Sequence, residues 1–126
     1  MSGKIVHFEI PYDDGDRARE FYQKAFGWDL QSWGEGAYEY TMVGTGPVGE
    51  QGPTEPGYIN GGMMKREGPY TGPVVVVDVD DIDDALATIE KLGGTKVSDR
   101  EPVGDLGWSA YFKDPEGNLM GLWQTA

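Results

Sequence analysis

Apolar and polar residues alternate from Lys4 to Ile10, setting Val6, Phe8 and Ile10 on one face of an extended segment and His7 and Glu9 on the other. Pro11 is expected to end this strand, and Asp13, Asp14, Gly15 and Asp16 supply turn and capping chemistry for a helix over Asp16 to Phe26. Within it Ala18, Phe21, Tyr22, Ala25 and Phe26 follow the i, i+3, i+4, i+7, i+8 stripe of a helix packed on a sheet, and Gly27 closes it. Trp28 to Trp33 and Tyr38 to Val43 predict two strands about a Gly34-Glu35-Gly36 turn. Of the fourteen residues from Gly44 to Gly57, eight are Gly or Pro, which predicts a long surface loop. Tyr58 to Lys65 resumes an extended pattern, and Arg66 to Pro73 connects it to the second half of the chain.

The second half repeats the first. Asp16, Ala18, Tyr22, Lys24 and Gly27 recur as Asp83, Ala85, Ile89, Lys91 and Gly94, an offset of 67 residues that also sets His7, the single histidine, opposite Val74. Val74 to Val79, with four valines in a row, predicts a strand covered on both faces. Asp80 and Asp81 cap a helix over Ile82 to Leu92 with the stripe Ile82, Ala85, Leu86, Ile89 and Leu92. Thr95 to Asp99, Trp108 to Lys113 and Asn118 to Gln124 complete the strands, the last two joined by an Asp114-Pro-Glu-Gly117 turn. The pattern is α+β: a βαβββ module over about residues 4–66 and another over about 73–125, inside one domain spanning 1–126.

Composition narrows the chemistry. The 22 acidic and 10 basic residues give a formal charge of −12, which disfavours nucleic acid and anionic membranes as partners. A salty cytoplasm would explain such acidity, since salt screens the self-repulsion. With no cysteine, disulfides, thiolate catalysis and cysteine-ligated zinc or iron–sulfur centres are excluded. The start MSGKIVHFEI lacks a signal-peptide hydrophobic region, and no apolar run approaches the roughly 20 residues of a membrane span, so a cytoplasmic protein is expected. The glycines of Gly44 to Gly57 are followed by no Lys-Ser/Thr pair, no Gly-x-Gly-x-x-Gly joins a strand to a helix, and no serine stands in a nucleophile elbow.

The opening HFEIP with DRAREFYQKAFGW, the second-module VDVDDIDDALATIEKLGG, the segment INGGMMKR and the closing YFKDPEGNLMGLW resemble the vicinal oxygen chelate superfamily, which includes glyoxalase I, extradiol dioxygenases, fosfomycin resistance enzymes and bleomycin resistance proteins. INGGMMKR points to its uncharacterised glyoxalase-like branch. The resemblance implies two βαβββ modules forming a curved mixed sheet around a cavity. It also implies, in metal-using members, one divalent ion held by a ligand from each of four strands. His7 falls on the first of those positions, Val74 on the second opening position, Gly121 where a ligating Glu usually stands, and Gly61 or Gly62 on the remaining one. Valine and glycine side chains donate nothing to a metal, so His7 alone survives and no metal or other cofactor is expected.

Without the ion, such a fold leaves a small-molecule pocket, and strand alternation nominates His7, Glu9, Val74, Val76, Ser109, Tyr111, Leu119, Gly121 and Trp123 as its lining. Asp78 shares the face of Val74 and Val76, and Tyr38 and Tyr40 are further candidates whose strand register stays open. His7 and Glu9 share a face about 6–7 Å apart along the strand, close enough for paired hydrogen-bond anchors or a general acid and base. The expectation is a metal-independent binding protein like those that sequester bleomycin, a homodimer taking an aromatic or cationic ligand. The alternative is a metal-dependent glyoxalase-like lyase or dioxygenase with His7 and Glu9 as ligands. A third reading is a structural or interaction protein whose pocket has closed over its own side chains.

Overall fold

The computed structural model describes residues 3–34, 39–50 and 52–126. The expected Gly34-Glu35-Gly36 turn and Tyr38 therefore fall wholly or partly outside the described residues. Backbone packing divides the chain into His7–Pro73 and, separately, Met1–Val6 with Val74–Ala126.

In His7–Pro73 the sheet order is β2 (Asp29–Trp33), β3 (Tyr40–Gly44), β6 (Asn60–Lys65) and β1 (Ile5–Tyr12). β1 runs parallel to β6 with His7 beside Asn60 and Glu9 beside Gly62. β3 is antiparallel to both β6 and β2. Contrary to expectation Pro11 does not end β1. The Arg66 N–H donates to the Tyr12 carbonyl at 2.7 Å, so Tyr12 turns its backbone groups toward the β6 side and Pro11 turns its own away, where a missing N–H costs no bond to β6.

Helix α1 (Gly15–Phe26) starts where the Asp14 carboxylate accepts the Arg17 N–H at 3.0 Å and ends at Gly27, whose φ of 72° only glycine adopts readily. Ala18 and Tyr22 pack onto a core of Tyr12, Val43 and Met63, with Phe8, Ile10, Trp28 and Leu30 around it. The rest of the predicted stripe stays outside this core: Phe21 and Phe26 touch Tyr22 at their edges but are 59% and 64% exposed. Five residues at 100° each put them roughly 140° apart around the helix, at the two margins of the apolar face. Trp28 folds back to stack on Tyr22, ring centroids 4.9 Å apart, and fills the place beside it. The predicted loop 44–57 contains a short hairpin, β4 (Val48–Gly49) with β5 (Gly52–Pro53).

In the other unit β7 (Val74–Asp78) lies parallel to β11 (Leu119–Thr125), which pairs antiparallel with β10 (Gly107–Lys113). β10 also takes β8 (Thr95–Lys96) and β9 (Glu101–Val103) along its edge. β8 stops short of the predicted Asp99, and the sequence pattern did not disclose β9. Helix α2 (Ile82–Lys91) is capped by Asp81, whose carboxylate accepts the Asp84 N–H at 2.9 Å, and it buries Ile82 and Leu86 against Ala110 and Leu122. Leu92, expected in the stripe, is 75% exposed because the helix ends one residue before it. Asp114 organises the β10–β11 turn by accepting the backbone N–H groups of Glu116 and Asn118 and the Asn118 amide, bonds that hold its carboxyl below the usual range. The segment YFKDPEGN thus explains itself as turn chemistry.

Candidate functional site

Strand alternation fixes which side chains share the face of His7–Pro73 opposite α1. Phe8, Ile10 and Met63 point under α1, so His7, Glu9, Asn60 and Gly62 point the other way. Tyr40 is forced to join them by its neighbours. The Tyr12 hydroxyl and the Arg19 guanidinium donate to Glu39 Oε1 at 2.8 and 2.9 Å, and Arg19 also donates to the Thr41 hydroxyl at 3.2 Å. With Glu39 and Thr41 held on the α1 side, the residue between them projects to the opposite face.

There the Tyr40 phenol lies over Gly62, in space that a β-carbon at residue 62 would need. Gly61 plays the same part on the other face, where the Phe8 ring and carbonyl cover it. The Gly61-Gly62 pair is therefore a slot that admits one aromatic ring on each side of the sheet. Tyr40 uses its position to join the two residues singled out from β1: its hydroxyl donates to Glu9 Oε2 at 2.8 Å and sits 3.0 Å from His7 Nε2. Glu9, only 6% exposed, is buried, so it is no solvated edge group. Burial also holds the His7 imidazole below its ordinary pKa, outweighing the Glu9 carboxylate, which acts in the opposite sense.

The candidates from the second module share a face of their own unit. Trp108, Ala110, Phe112 and Leu122 pack with α2, which leaves Ser109, Tyr111, Leu119, Gly121 and Trp123 on the opposite side, together with Val74 and Val76. Val74 and Val76 are buried at 2% and 6% exposure. Gly121 pairs with Val76 on one side and Tyr111 on the other, and a β-carbon there would stand 3.0 Å from Val76 Cγ2 and 3.4 Å from Tyr111 Cε1. Trp123 lies over Gly107 and donates its indole N–H to the Thr125 hydroxyl at 3.1 Å.

These residues do not fit a divalent ion at the inherited position. Within His7–Pro73 a phenol stands over Gly62 and engages both His7 Nε2 and Glu9 Oε2, and in the other unit Gly121 supplies no donor and Val76 crowds the space a side chain there would need. No group of three His, Asp or Glu side chains able to hold a metal occurs among the described residues. Sequence reasoning left Tyr40 in doubt and passed over Asn60. The signal that would have placed Tyr40 was the Gly-Gly pair, two consecutive strand residues without side chains, which marks close approach of other groups.

Comparison with known proteins agrees with the fold. Residues 4–46 match the family described as Bleomycin resistance protein-like N-terminal. A glyoxylase-like domain-containing protein of Didymella fabae is 31% identical over 127 residues, covering 97% of this chain and 94% of its own. A candidate glyoxylase of Mycobacterium bovis, CFP32, is 29% identical over 121 residues, and the chain spans only 44% of its length. Among solved structures, methylmalonyl-CoA epimerase of Streptomyces coelicolor in complex with 2-nitronate-propionyl-CoA superposes with a TM-score of 0.71 at 17% identity, covering 100% of this chain and 99% of that one. At that identity the likeness speaks for the fold alone. With two α/β modules of this topology and a glyoxylase-like relative matched along nearly its whole length, the chain belongs to the vicinal oxygen chelate superfamily, the glyoxalase and bleomycin-resistance family.

Proposed function

We propose that this protein binds a small organic molecule without an intervening metal ion, using the face that carries His7, Glu9 and Tyr40, and that it acts in the cytoplasm as a homodimer. One observation carries the reading: the Tyr40 phenol takes the space over Gly62 and ties His7 to Glu9, turning potential ligand atoms into a hydrogen-bonded platform. Such a platform, with aromatic and methionine neighbours, suits orientation of a ligand by a few polar contacts. The bleomycin-resistance-like match over residues 4–46 favours sequestration as the role. No helix among the described residues is long and apolar enough to cross a membrane.

The experiment is a thermal-shift screen of purified protein against small organic cations, aromatic compounds and bleomycin itself. A saturable rise in melting temperature that is lost in Tyr40→Ala is the expected result. If no compound in a broad library shifts the melting temperature of either protein, the face is closed over its own side chains and the binding reading fails.

The same hydrogen bonds favour a second reading, proton transfer. An imidazole backed through a phenol by a carboxylate is arranged as a general base. Exchange of carbon-bound hydrogen with deuterated solvent in a trial carbonyl compound, abolished by His7→Gln, would support it over passive binding.

A further inference from the structure

We infer that His7 and Asn60 together recognise an uncharged group bearing a hydrogen-bond donor beside an acceptor, the edge of a lactam or primary amide. The inference rests on the reading that this face binds a small molecule and names the chemistry it selects.

Counting protons places a hydrogen on His7 Nε2. A phenol has one proton, and Tyr40 spends it on Glu9 Oε2. The 3.0 Å contact with His7 must then be an Nε2–H donating to the phenol oxygen. Burial disfavours a second proton on the ring, so at neutral pH the imidazole carries its one proton on Nε2 and keeps a lone pair on Nδ1. That nitrogen has no hydrogen-bond partner among the described residues, so His7 offers the ligand an acceptor.

Asn60 offers the donor. It stands directly beside His7 in the parallel β1–β6 pairing, on the same face and one strand spacing away, about 5 Å. Its amide orientation is set by Thr45, whose backbone N–H donates to Asn60 Oδ1 at 3.0 Å, while the Thr45 hydroxyl is held by the Ile59 carbonyl at 2.7 Å. Nδ2 therefore faces away from Thr45. It is buried and has no partner, the single side-chain polar atom in that condition among the described residues. Native folds carry few such groups, and each calls for a partner. Because Nδ2 is closed to water, a ligand reaches it only as the side chains over it give way.

An acceptor on His7 and a donor on Asn60, on paired residues of neighbouring strands, discriminate by charge. A carboxylate has no proton for His7 Nδ1 and would set its charge near buried Glu9. An ammonium satisfies Nδ1 but accepts nothing from Asn60. A C(=O)–NH edge satisfies both, so the site prefers a neutral amide over the cations that net charge alone suggests.

The test uses the full chain labelled with ¹⁵N and four fragments at millimolar concentration: δ-valerolactam, N-methyl-valerolactam, δ-valerolactone and piperidinium. The expected result is that δ-valerolactam shifts the His7 Nδ1 and Asn60 side-chain resonances, and that the other three bind at least about tenfold more weakly, as does δ-valerolactam to Asn60→Asp or His7→Phe. Melting of both variants with Tyr40 intact checks that they fold. If N-methyl-valerolactam or piperidinium binds as tightly as the lactam, the donor–acceptor assignment is overturned while binding stands. The assignment is likewise overturned if the lactam is silent but other library compounds bind. Silence of every compound would overturn both readings.

Discussion

The phenol of Tyr40 rests on Gly62, and its hydroxyl bridges His7 and Glu9 from that position. Any side chain at residue 62 would push the ring off the sheet and separate the bridge. Gly62→Ala is expected to lower unfolding free energy by about 1–3 kcal/mol through overpacking and to move the His7 ring resonances. Urea denaturation and the single imidazole signal check this. An unchanged midpoint with an unchanged imidazole signal would show that Tyr40 sits elsewhere.

The pH dependence follows from burial of the only histidine. Its folded pKa lies below the ordinary 6.5, so as pH falls through that value the unfolded chain takes up a proton that the fold refuses. His7 therefore leaves stability intact above about 6.5 and subtracts from it below, with a slope of at most about 1.4 kcal/mol per pH unit until the folded pKa is reached. Urea midpoints measured from pH 7.5 down to 5 for the parent and for His7→Gln should converge or cross as pH falls, since only the parent carries this term. A constant difference across that range would mean that burial does not perturb His7.

Gly121 occupies the place where a carboxylate ligand would be expected by resemblance, and a β-carbon there would crowd a Val76 methyl at 3.0 Å and touch the Tyr111 ring at 3.4 Å. Gly121→Glu should fail to restore a ligand and should instead destabilise the fold by about 1–3 kcal/mol from crowding. Combining it with Val76→Ala should return part of that loss. Stability of Gly121→Glu equal to the parent's would show that the space is open after all.

The charge of −12 sets a further expectation. Self-repulsion among the acidic groups, including Asp80, Asp81, Asp83 and Asp84 around the start of α2, is screened by salt over a few Å. The melting temperature should rise between low and molar KCl. A flat or falling response would remove the suggestion of a salty cytoplasm.

The fold was legible in the sequence because its signals are local. Asp14 and Asp81 cap helices from within three residues, Gly27 closes one, and the alternation of β1, β10 and β11 separates the α-packed face from the opposite one at each position. What was not legible depends on distant partners. Pro11 stays in its strand because of which way Tyr12 faces β6, and Phe21 and Phe26 are exposed at the margins of the helix face while Trp28 stacks on Tyr22. β9 exists only as an edge on β10. Within the site, His7 and Glu9 could be read from alternation, but Tyr40 could not: its direction depends on Tyr12 and Arg19 holding the residues either side of it. Asn60 was missed because a strand asparagine gives no sign in sequence of whether its amide is paired.

The most direct test of the proposal that this protein works without a metal ion at His7 is elemental analysis of protein purified without chelator, alongside His7→Ala prepared identically. Well under one equivalent of nickel, zinc, manganese or iron is expected in both. One equivalent of such a metal in the parent, absent from His7→Ala, would contradict it.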